Sequence, residues 1–411
     1  MHFSELLTNT SILKAVAEQR FHKPTLVQEK AIPEILKKKN VIVAANTGTG
    51  KTAAFTLPIL ENLFEKQDTE KAKKLIKAVI VTPTRELAIQ IFENCKDFSK
   101  YTNLRTTAVF GGVSLEPQKE VLAKGVDILI ATPGRLIDLQ KQGNIALDAV
   151  EVFVLDEADL MLDMGFIKDV KLIESLCPKK KQTLLFSATM PDKIVALAKT
   201  TLKNPVSIVI EPEETTAKNI GQLLYYLPKK NKTDLCLHLL RNTINGKIII
   251  FRRTKFGVDK LEQTLLKNGY LVTSIHGDKT QIIRNKAIED FKSKKATILI
   301  ATDVAARGID ITNVDAIINF DIPNVAETYV HRIGRTGRAG KSGISFSFCS
   351  PDENNYIKDI ETLIEKSIKV IADHPYVIHK PKHTKKQPNT ISKNKKGRKS
   401  EASKKKKKRW Y

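Results

Sequence analysis

Cysteine, tryptophan and long apolar runs are scarce in this sequence. Its 411 residues include four cysteines and one tryptophan, and no run approaches the roughly 18 apolar residues that a membrane span requires. The cysteines (Cys95, Cys177, Cys236 and Cys349) lie far apart, in neither metal-ligand nor disulfide-like spacing, so we expect reduced, mostly buried thiols. The first residues, Met1 to Glu5, resemble no part of a signal peptide. We therefore expect a cytoplasmic protein without a membrane partner.

Acidic residues are also fewer than basic ones. The chain has 69 Lys and Arg residues against 45 Asp and Glu, which gives a formal net charge of +24. From His374 to Tyr411 there are 15 basic residues and one acid, Glu401, while 54 basic and 44 acidic residues precede them. This balance favours a polyanionic partner, most simply nucleic acid. A basic surface kept for solubility would have the same composition.

Short apolar runs alternate with helical-looking segments through most of the chain. This pattern predicts buried parallel sheets whose strands are connected by helices. The runs are Val41–Ala45, Ala78–Thr82, Val126–Thr132, Val150–Asp156, Gln182–Ser187, Lys247–Phe251, Val272–His276, Thr297–Asp303, Ala316–Asp321 and Gly343–Cys349.

The runs fall into two series, separated by a polar stretch that contains proline. We therefore predict two α/β domains, at 1–210 and 219–372, with a linker at 211–218. From residue 373 onward Lys, Pro, Ser and Asn dominate, and such a segment cannot bury enough apolar surface to offset its ordering entropy. The sequence therefore predicts a disordered basic tail at 373–411.

The most informative segment follows the first apolar run. It reads Ala45, Asn46, Thr47, Gly48, Thr49, Gly50, Lys51 and Thr52. Its glycines allow successive backbone N–H groups to face one anion, at the positive end of the helix that follows. In a P-loop, Lys51 would reach the β- and γ-phosphates of a nucleotide and Thr52 would bind magnesium. Alanine stands at the first position, where the general P-loop pattern has glycine.

Two other interpretations of these glycines need to be weighed. The spacing of Gly48, Gly50 and Ala53 also fits a loose dinucleotide-binding pattern, which requires an acid after a second strand about 20 residues further on. Residues 65–71 form a charged run with no strand before it, and Lys51 would then have no role. An ordinary glycine turn is the remaining alternative.

An acid pair stands at the end of the fourth apolar run. Asp156 and Glu157 come directly after Val152–Leu155, at the edge where open α/β sheets bind ligands. Phosphoryl transfer needs an acid that holds magnesium and a group that orients the attacking water. We assign the first role to Asp156 and the second to Glu157. Acids that merely cap a helix are the alternative, which the preceding P-loop disfavours.

The sequence from Asp156 to Asp159, downstream of this P-loop, resembles the DEAD-box RNA helicases, and the resemblance extends over nearly all of 1–350. It implies two recA-like P-loop domains and an RNA-dependent ATPase that uses ATP and Mg²⁺. Local unwinding of short RNA duplexes or remodelling of ribonucleoprotein, without sequence specificity, is the implied activity. Residues 125–131, the spacing through Gln281 and the basic tail are most similar to the bacterial RhlE-like subgroup.

Residues 21–28 resemble the adenine-reading motif of this family. The resemblance implies that Gln28 hydrogen-bonds the adenine and that Phe21 packs near it, with Phe3 as the upstream aromatic residue. Arg20 stands where the family usually has glycine. The resemblance also places Asp310 at the nucleotide.

The resemblance further implies RNA-contacting residues in both domains. In the first domain they are Pro83, Thr84, Arg85, Gly111, Gly112, Thr132, Pro133, Gly134 and Arg135. In the second domain they are Gln281, Arg284 and Thr302, and 251–255, 276–278 and 301–310 also match family motifs. The first-domain motifs each follow a strand and offer backbone N–H, hydroxyl or guanidinium groups suited to phosphates.

The remaining motifs are implied to couple ATP hydrolysis to RNA. Ser187 and Thr189 match the motif that couples hydrolysis to strand separation, and His331 opens a motif in the second domain. Arg335 and Arg338 resemble arginine fingers, a role for which the permanently charged, forked guanidinium is suited. Arginines at 332, 335 and 338, separated by glycines, are not expected in a core helix. Taken alone, they would also fit a solvated basic loop.

We expect single-stranded RNA and short duplexes as partners, bound through their phosphates. Ribosomal precursors and RNA-decay assemblies are candidate settings. Two other functions stay open: an ATP-gated RNA clamp with little unwinding, and a DNA helicase, which the motif set disfavours. The end of the chain is expected to tether RNA through Lys404–Lys408, Arg409, Trp410 and Tyr411. A solvated chain end is the alternative.

Overall fold

A computed structural model describes residues 1–46, 48–64, 75–210, 220–306, 311, 314–337 and 343–377. Its strands are β1 Val41–Ala44, β2 Ala78–Val81, β3 Thr106–Val109, β4 Ile128–Ala131, β5 Val152–Leu155, β6 Gln182–Ser187, β7 Val206–Val209, β8 Ile220–Tyr226, β9 Ile248–Arg252, β10 Val272–Ile275, β11 Ile298–Thr302, β12 Ala316–Asn319, β13 Gly343–Cys349 and β14 Lys369–Val370. The α-helices are α1 Thr10–Glu18, α2 Leu26–Leu36, α3 Lys51–Phe64, α4 Arg85–Phe98, α5 Glu116–Ala123, α6 Pro133–Lys141, α7 Ala158–Asp163, α8 Ile167–Leu176, α9 Asp192–Thr201, α10 Lys232–Asn242, α11 Lys255–Lys267, α12 Gln281–Lys292, α13 Asp303–Ala306, α14 Ala326–Ile333 and α15 Asn354–Leu363.

The first sheet has seven parallel strands in the order β3-β4-β2-β5-β6-β1-β7. Its central strands β2, β4 and β5 are buried along their whole length. Such continuous apolar strands are stable only when helices cover both faces of the sheet. Because all strands are parallel, their carboxyl ends meet at one edge.

Side chains of each strand in this sheet point alternately into two apolar clusters. On β5, Val154 belongs to the cluster that contains α3, whereas Phe153 and Leu155 belong to the cluster that contains Leu136 of α6. Each fully buried Val, Leu or Phe contributes about 1.5–3 kcal/mol of transfer free energy. The two clusters therefore hold β1 and β5, with the loops that follow them, in a fixed relation.

The second sheet repeats this architecture with the order β10-β11-β9-β12-β13-β8-β14, again with parallel pairing throughout. All ten predicted apolar runs form strands, and the prediction of parallel α/β sheets is confirmed. The runs did not reveal β3, β7, β8 and β14, which the structure adds.

The packed chain extends beyond the tail boundary predicted at residue 373. After β14, the N–H of Ile371 donates to Leu224 O at 2.8 Å, and Tyr376 packs against the cluster around Tyr225. The boundary is wrong because two residues of edge strand suffice to bring these apolar side chains onto the second sheet. Residues 378–411, with the predicted RNA tether, and the linker 211–218 lie outside the described residues.

All four cysteines are buried and free, as expected from their spacing. Burial raises the pKa of Cys95 and of Cys236 to about 12, so both are thiols at neutral pH. Among the helices of the described residues, none is both long and apolar enough to span a bilayer.

Candidate functional site

Two glycines shape the described part of the loop between β1 and α3. Gly48 and Gly50 have left-handed backbone conformations, with φ of 86° and 94°, which glycine adopts without steric cost. Lys51 opens α3, and its buried Nζ donates to Ala45 O at 3.0 Å and contacts Glu157 Oε1 at 2.9 Å. The structure thus brings the lysine of the P-loop directly to the acid pair.

The acid pair lies at the carboxyl end of β5, as predicted. Asp156 is 2% exposed, and its Oδ1 has no hydrogen-bond partner among the described residues. Glu157 has a left-handed conformation with φ of 55°, immediately before α7. Non-glycine residues held in this region cost about 1–3 kcal/mol and cluster at functional sites. This turn directs the Glu157 carboxylate at Lys51.

Burial and mutual repulsion shape the charges of this site. Burial, reinforced by the Glu157 carboxylate, raises the pKa of Asp156 to about 7. Burial by itself would lower the pKa of Lys51, but Glu157 and Asp156 together hold its pKa above the ordinary value. The lysine therefore stays cationic and suited to a phosphate.

Magnesium fits the donor set of the site. No group of three or more His, Cys, Asp and Glu side chains in the described chain is placed to hold a metal. Magnesium does not need one, because it keeps several water ligands and usually binds one or two carboxylates with substrate phosphates. The unpaired Oδ1 of Asp156 and the hydroxyl of Thr52 are oxygen donors of the required kind.

The residues predicted to couple hydrolysis to RNA connect to the P-loop through Ser187. Its carbonyl oxygen accepts from Ala45 N at 2.9 Å, its Oγ accepts from Asp159 N at 3.1 Å, and the same Oγ donates to Thr189 O at 2.7 Å. Thr189 in turn donates from N and from Oγ1 to Asp159 Oδ2, at 2.9 and 3.0 Å. Ala45 N and Ser187 thus connect the start of the nucleotide loop to Asp159.

The pKa of Asp159 also depends on a residue of the second domain. Burial would raise the pKa of Asp159, but Lys51, the Thr189 hydrogen bonds and the charge of His331 together hold its pKa below the usual value. His331 lies on α14 of the second sheet. Asp159 thus interacts electrostatically with His331 and is hydrogen-bonded to Ser187 and Thr189. No separate role for Asp159 was predicted from the sequence.

The predicted adenine-reading residues pack against the phosphate loop. Gln28 Oε1 accepts from Thr25 N at 2.9 Å, and Gln28 Nε2 donates to Gly50 O at 3.1 Å. A Cβ on Gly50 would displace this amide and would be strained at the backbone φ of 94°, so glycine is favoured there. Phe21 is 37% exposed and packs edge-on against Phe3 and Phe98, with ring centroids 6.4 and 5.6 Å apart. Phe98 was not predicted.

The predicted RNA-contacting loops of the first domain form one surface. A Cβ on Gly112 would overlap the guanidinium of Arg85, so that side chain lies directly over the glycine. Arg135 Nη2 donates to Val113 O at 3.0 Å in the same loop. Beyond its chain neighbours and its own helix backbone, an added Cβ on Gly111 or on Gly134 would have no atom within 4 Å in the described structure.

Helix starts organise this surface. Thr84 caps α4, accepting from Leu87 N at 3.3 Å, and Thr132 is the N-cap residue of α6, which begins at Pro133. Pro83 lies between β2 and Thr84, the N-cap residue of α4. Backbone N–H groups at helix starts face outward and favour phosphate.

Gln281 and Arg284 lie in a setting that the sequence did not predict. Both are buried, at 5% and 8% exposure, against the first domain. Gln281 Nε2 donates to Glu86 Oε1 at 2.9 Å, and Arg284 Nη2 pairs with the same oxygen at 2.9 Å. Burial lowers the pKa of Arg284, and Glu86 opposes that shift. Their RNA contact stays a prediction, whereas their contact with Glu86 joins the two sheets.

The expectation that no arginine of 332, 335 and 338 belongs to a core helix is wrong for Arg332. It lies on α14, 2% exposed, with Nε and Nη2 donating to the Asp303 carboxylate at 2.5 and 2.8 Å and its guanidinium over Phe251. Complete pairing with a carboxylate makes this burial possible. Arg335 follows α14 at 8% exposure, and Thr302 ends β11 beside Asp303. Thr47, Asp310 and Arg338 lie outside the described residues.

Two parallel sheets, a P-loop lysine against an acid pair, and an arginine-containing segment on the second sheet define a two-domain P-loop ATPase. Residues 25–198 match the family model of DEAD/DEAH box helicases, and residues 231–340 match that of the helicase conserved C-terminal domain. The chain belongs to the DEAD-box ATP-dependent RNA helicases. It is therefore an RNA-dependent ATPase with tandem recA-like domains.

Curated relatives support this assignment over most of the chain. The DEAD-box ATP-dependent RNA helicase RhpA of Helicobacter pylori is 42% identical over 368 residues, which are 90% of this chain and 73% of the relative. The ATP-dependent RNA helicase CshA of Limosilactobacillus reuteri is 44% identical over 365 residues, 88% of this chain and 72% of the relative. Similarity to the RhlE-like subgroup stays a prediction.

Solved structures match this chain over both sheets, to different degrees. S. cerevisiae Dbp5 bound to RNA and ADP BeF3 superposes with a TM-score of 0.78 at 31% identity, covering 90% of this chain and 95% of that one. A DEAD box protein from Methanococcus jannaschii is 39% identical over 90% of this chain and 99% of its own, with a TM-score of 0.51. The spatial match is thus better to the RNA-bound protein despite its lower sequence identity.

Proposed function

We propose that this chain hydrolyses ATP at a site between the two domains, the interdomain seam, which both domains complete and which RNA helps to close. Each cycle locally unwinds a short RNA duplex. The observation that carries the proposal is that three acidic side chains, one of which also interacts with the second domain, lie around the ammonium group of Lys51. Its ammonium contacts Glu157, lies beside Asp156 and influences Asp159, which also senses His331 of the second domain. Sequence-independent RNA binding follows from contacts to phosphates alone.

In this proposal each polar residue has one task. Lys51 and the loop from Ala45 to Thr52 bind the phosphates of ATP, while Gln28 and Phe21 contact the adenine. Glu157 orients the attacking water, and Arg335, with Arg338, contacts the γ-phosphate. Asp156 and Thr52 would hold Mg²⁺, which when bound neutralises phosphate charge.

RNA would lie across both domains. Arg85, Arg135 and Thr302 are our main candidates for phosphate contacts, with the open backbone at Gly111 and Gly134 allowing close approach. Contacts of this kind weaken steeply with salt. Ribosomal precursors and RNA-decay assemblies in the cytoplasm are the settings that we propose, and an RNA crosslinking map in cells would test them.

Glu157→Gln tests the catalytic assignment. It removes the group that orients water but keeps the side-chain size, so we expect kcat for RNA-stimulated ATP hydrolysis to fall at least about 100-fold while ATP and RNA still bind together. Glu151→Gln, at the amino end of the same strand and paired with Lys77 at the surface, is the matched control. Turnover close to that of the parent protein would contradict the assignment.

The contacts of Glu86 favour a second candidate function, an ATP-gated clamp that holds RNA without much unwinding. These contacts hold the two domains together across the seam. Release of a labelled strand from a short RNA duplex, measured beside ATP turnover, discriminates the two functions. Rapid release supports the unwinding enzyme, and a stable ATP-dependent complex without release supports the clamp.

A further inference from the structure

A buried threonine hydroxyl lies beside the acid pair without a hydrogen-bond partner. Thr82 directly follows β2 and has no exposed surface, yet its Oγ1 contacts no donor or acceptor among the described residues. An unpaired buried hydroxyl destabilises the fold, because its hydrogen bonds to water are lost on burial and are not replaced. A hydrogen-bond partner that is present only when nucleotide and magnesium are bound would offset this cost.

Strand pairing places Thr82 next to Asp156. In the register of β2 and β5, Val81 pairs with Leu155. The ladder continues one residue further, because Asp156 N donates to Val81 O at 3.0 Å and Thr82 N donates to Ala131 O at 3.0 Å. Neighbouring strands lie about 4.8 Å apart, so Thr82 and Asp156 are adjacent at the carboxyl edge.

The two side chains also share a face of the sheet. Val81 and Leu155 belong to the apolar cluster opposite α3, whereas Ile80 and Val154 belong to the cluster that contains α3. Because side chains alternate along a strand, Thr82 and Asp156 follow Ile80 and Val154 toward the α3 face. The P-loop lysine lies on this face, and Oδ1 of Asp156 is itself unpaired.

We propose that Thr82 is a positioning residue for magnesium: its hydroxyl and Asp156 Oδ1 together hold one water molecule of the hydrated ion. The proposal rests on the proposed role of Asp156. A buried water needs two to four polar partners, and magnesium retains several of its waters in protein sites. Partners beyond the direct ligands typically change metal affinity about 10- to 100-fold.

Thr82→Val tests this role, because it removes the hydroxyl at nearly constant volume. In equilibrium binding of a fluorescent ATP analogue, we expect the Mg²⁺ concentration for half-maximal binding to rise about tenfold. Thr82→Ser keeps a hydroxyl and is expected to restore the parent value. Without nucleotide and magnesium, Thr82→Val is expected to raise the Tm, since an unpaired buried hydroxyl is lost.

Thr106→Val is the matched control. Thr106 Oγ1 is likewise buried without a partner among the described residues, but Thr106 begins the edge strand β3, at the opposite end from the acid pair. Its replacement is expected to raise the Tm and to leave the Mg²⁺ dependence unchanged.

An unchanged Mg²⁺ dependence in Thr82→Val would overturn the inference, and a lowered Tm in the same variant would then make the hydroxyl part of the core. Asp156→Asn separates this failure from that of the proposed function. If Asp156→Asn also leaves the Mg²⁺ dependence unchanged, the assignment of Asp156 is wrong. If only Thr82→Val does so, the role of Thr82 alone is wrong.

Discussion

Arg20 has a left-handed backbone conformation, with φ of 59°. It follows the C-cap of α1, where Arg20 N donates to Ala17 O at 3.0 Å and Phe21 N donates to Val16 O at 3.2 Å. This pair of bonds is the Schellman motif, whose left-handed position is usually glycine. An L side chain costs about 1–2 kcal/mol in this conformation. The glycine that the family has at this position therefore has a physical reason, and arginine strains the turn that presents Phe21.

Arg20→Gly is expected to raise the free energy of unfolding by about 0.5–1 kcal/mol, because relief of this strain exceeds the entropy added to the unfolded chain. Urea denaturation measures the difference. The neighbouring substitution Gln19→Gly, at a φ of −75°, relieves no strain and is expected to destabilise the protein. Destabilisation by Arg20→Gly as well would be incompatible with the left-handed turn.

The buried Asp156 carboxyl destabilises the folded protein by an amount that depends on pH. Its pKa is raised from 3.8 to about 7 by burial and by Glu157, so the folded protein binds a proton that the unfolded chain releases between about pH 4 and 7. Stability contributed by this group is present below its unfolded pKa and is lost as pH rises through the folded value.

We therefore expect Asp156→Asn to raise the Tm of the nucleotide-free protein more at pH 8 than at pH 5, while abolishing ATP turnover. Thermal unfolding at both pH values checks this expectation. Asp97→Asn, at an exposed site on α4, should shift the Tm alike at the two pH values. An equal shift of the Tm at pH 5 and at pH 8 for Asp156→Asn would show that ionisation of the buried carboxyl does not destabilise the folded protein.

Among the elements, the strands that the sequence did not reveal share a physical cause. β3, β7 and β14 lie at sheet edges, and β8 is next to the last of them. Edge strands are buried on fewer sides, so buried and exposed side chains alternate along them or most side chains stay exposed, as in β7. Continuous apolar runs, which served as the sequence signal, are typical of strands that are covered on both faces and by both neighbours, although the edge strand β10 also has such a run.

The loop after β3 offers a test of the RNA surface. Gly112→Ala is expected to displace the Arg85 guanidinium, because the new Cβ would occupy its place, and to raise the RNA concentration for half-maximal ATPase stimulation at least about tenfold. The loss of one strong phosphate contact, about 1.4 kcal/mol, corresponds to such a change.

Gly143→Ala is the control for backbone strain. Gly143 has a φ of 70°, close to the 75° of Gly112, but no atom lies within 4 Å of an added Cβ there in the described structure. We expect it to lower stability without changing the RNA dependence. An equal effect of both variants on RNA stimulation would show that strain, and not Arg85, is responsible.

At the scale of the whole molecule, Glu86 is the residue that both Gln281 and Arg284 of the second domain contact. Glu86→Gln leaves the buried charge of Arg284 unpaired when the domains close, and an unpaired buried charge costs several kcal/mol. RNA and ATP strengthen each other's binding only through the closed state. We therefore expect the RNA affinity measured with a bound ATP analogue to fall at least about tenfold, while ATP affinity without RNA is unchanged.

Glu93→Gln, at an exposed position on the same helix α4, is the control for this experiment. A double-mutant cycle with Arg284→Met then isolates the pair, because replacement of both partners removes the unpaired charge. Unchanged coupling between RNA and ATP in Glu86→Gln would show that these contacts do not stabilise the closed state.

The sequence by itself determined the chemistry of each segment. The glycines and Lys51 of the P-loop, the acids after β5 and the caps at Thr84 and Thr132 act over a few residues, and short-range spacing is sufficient to specify a turn, a strand end or a helix start. The tertiary structure decided which segments meet. Gln281 and Glu86 are 195 residues apart in the chain, and no local pattern specifies that contact.

The burial of Arg332 against Asp303 and the unpaired hydroxyl of Thr82 have the same origin. Both depend on the neighbours that sheet order and helix packing supply, and those neighbours are fixed only when the complete core forms.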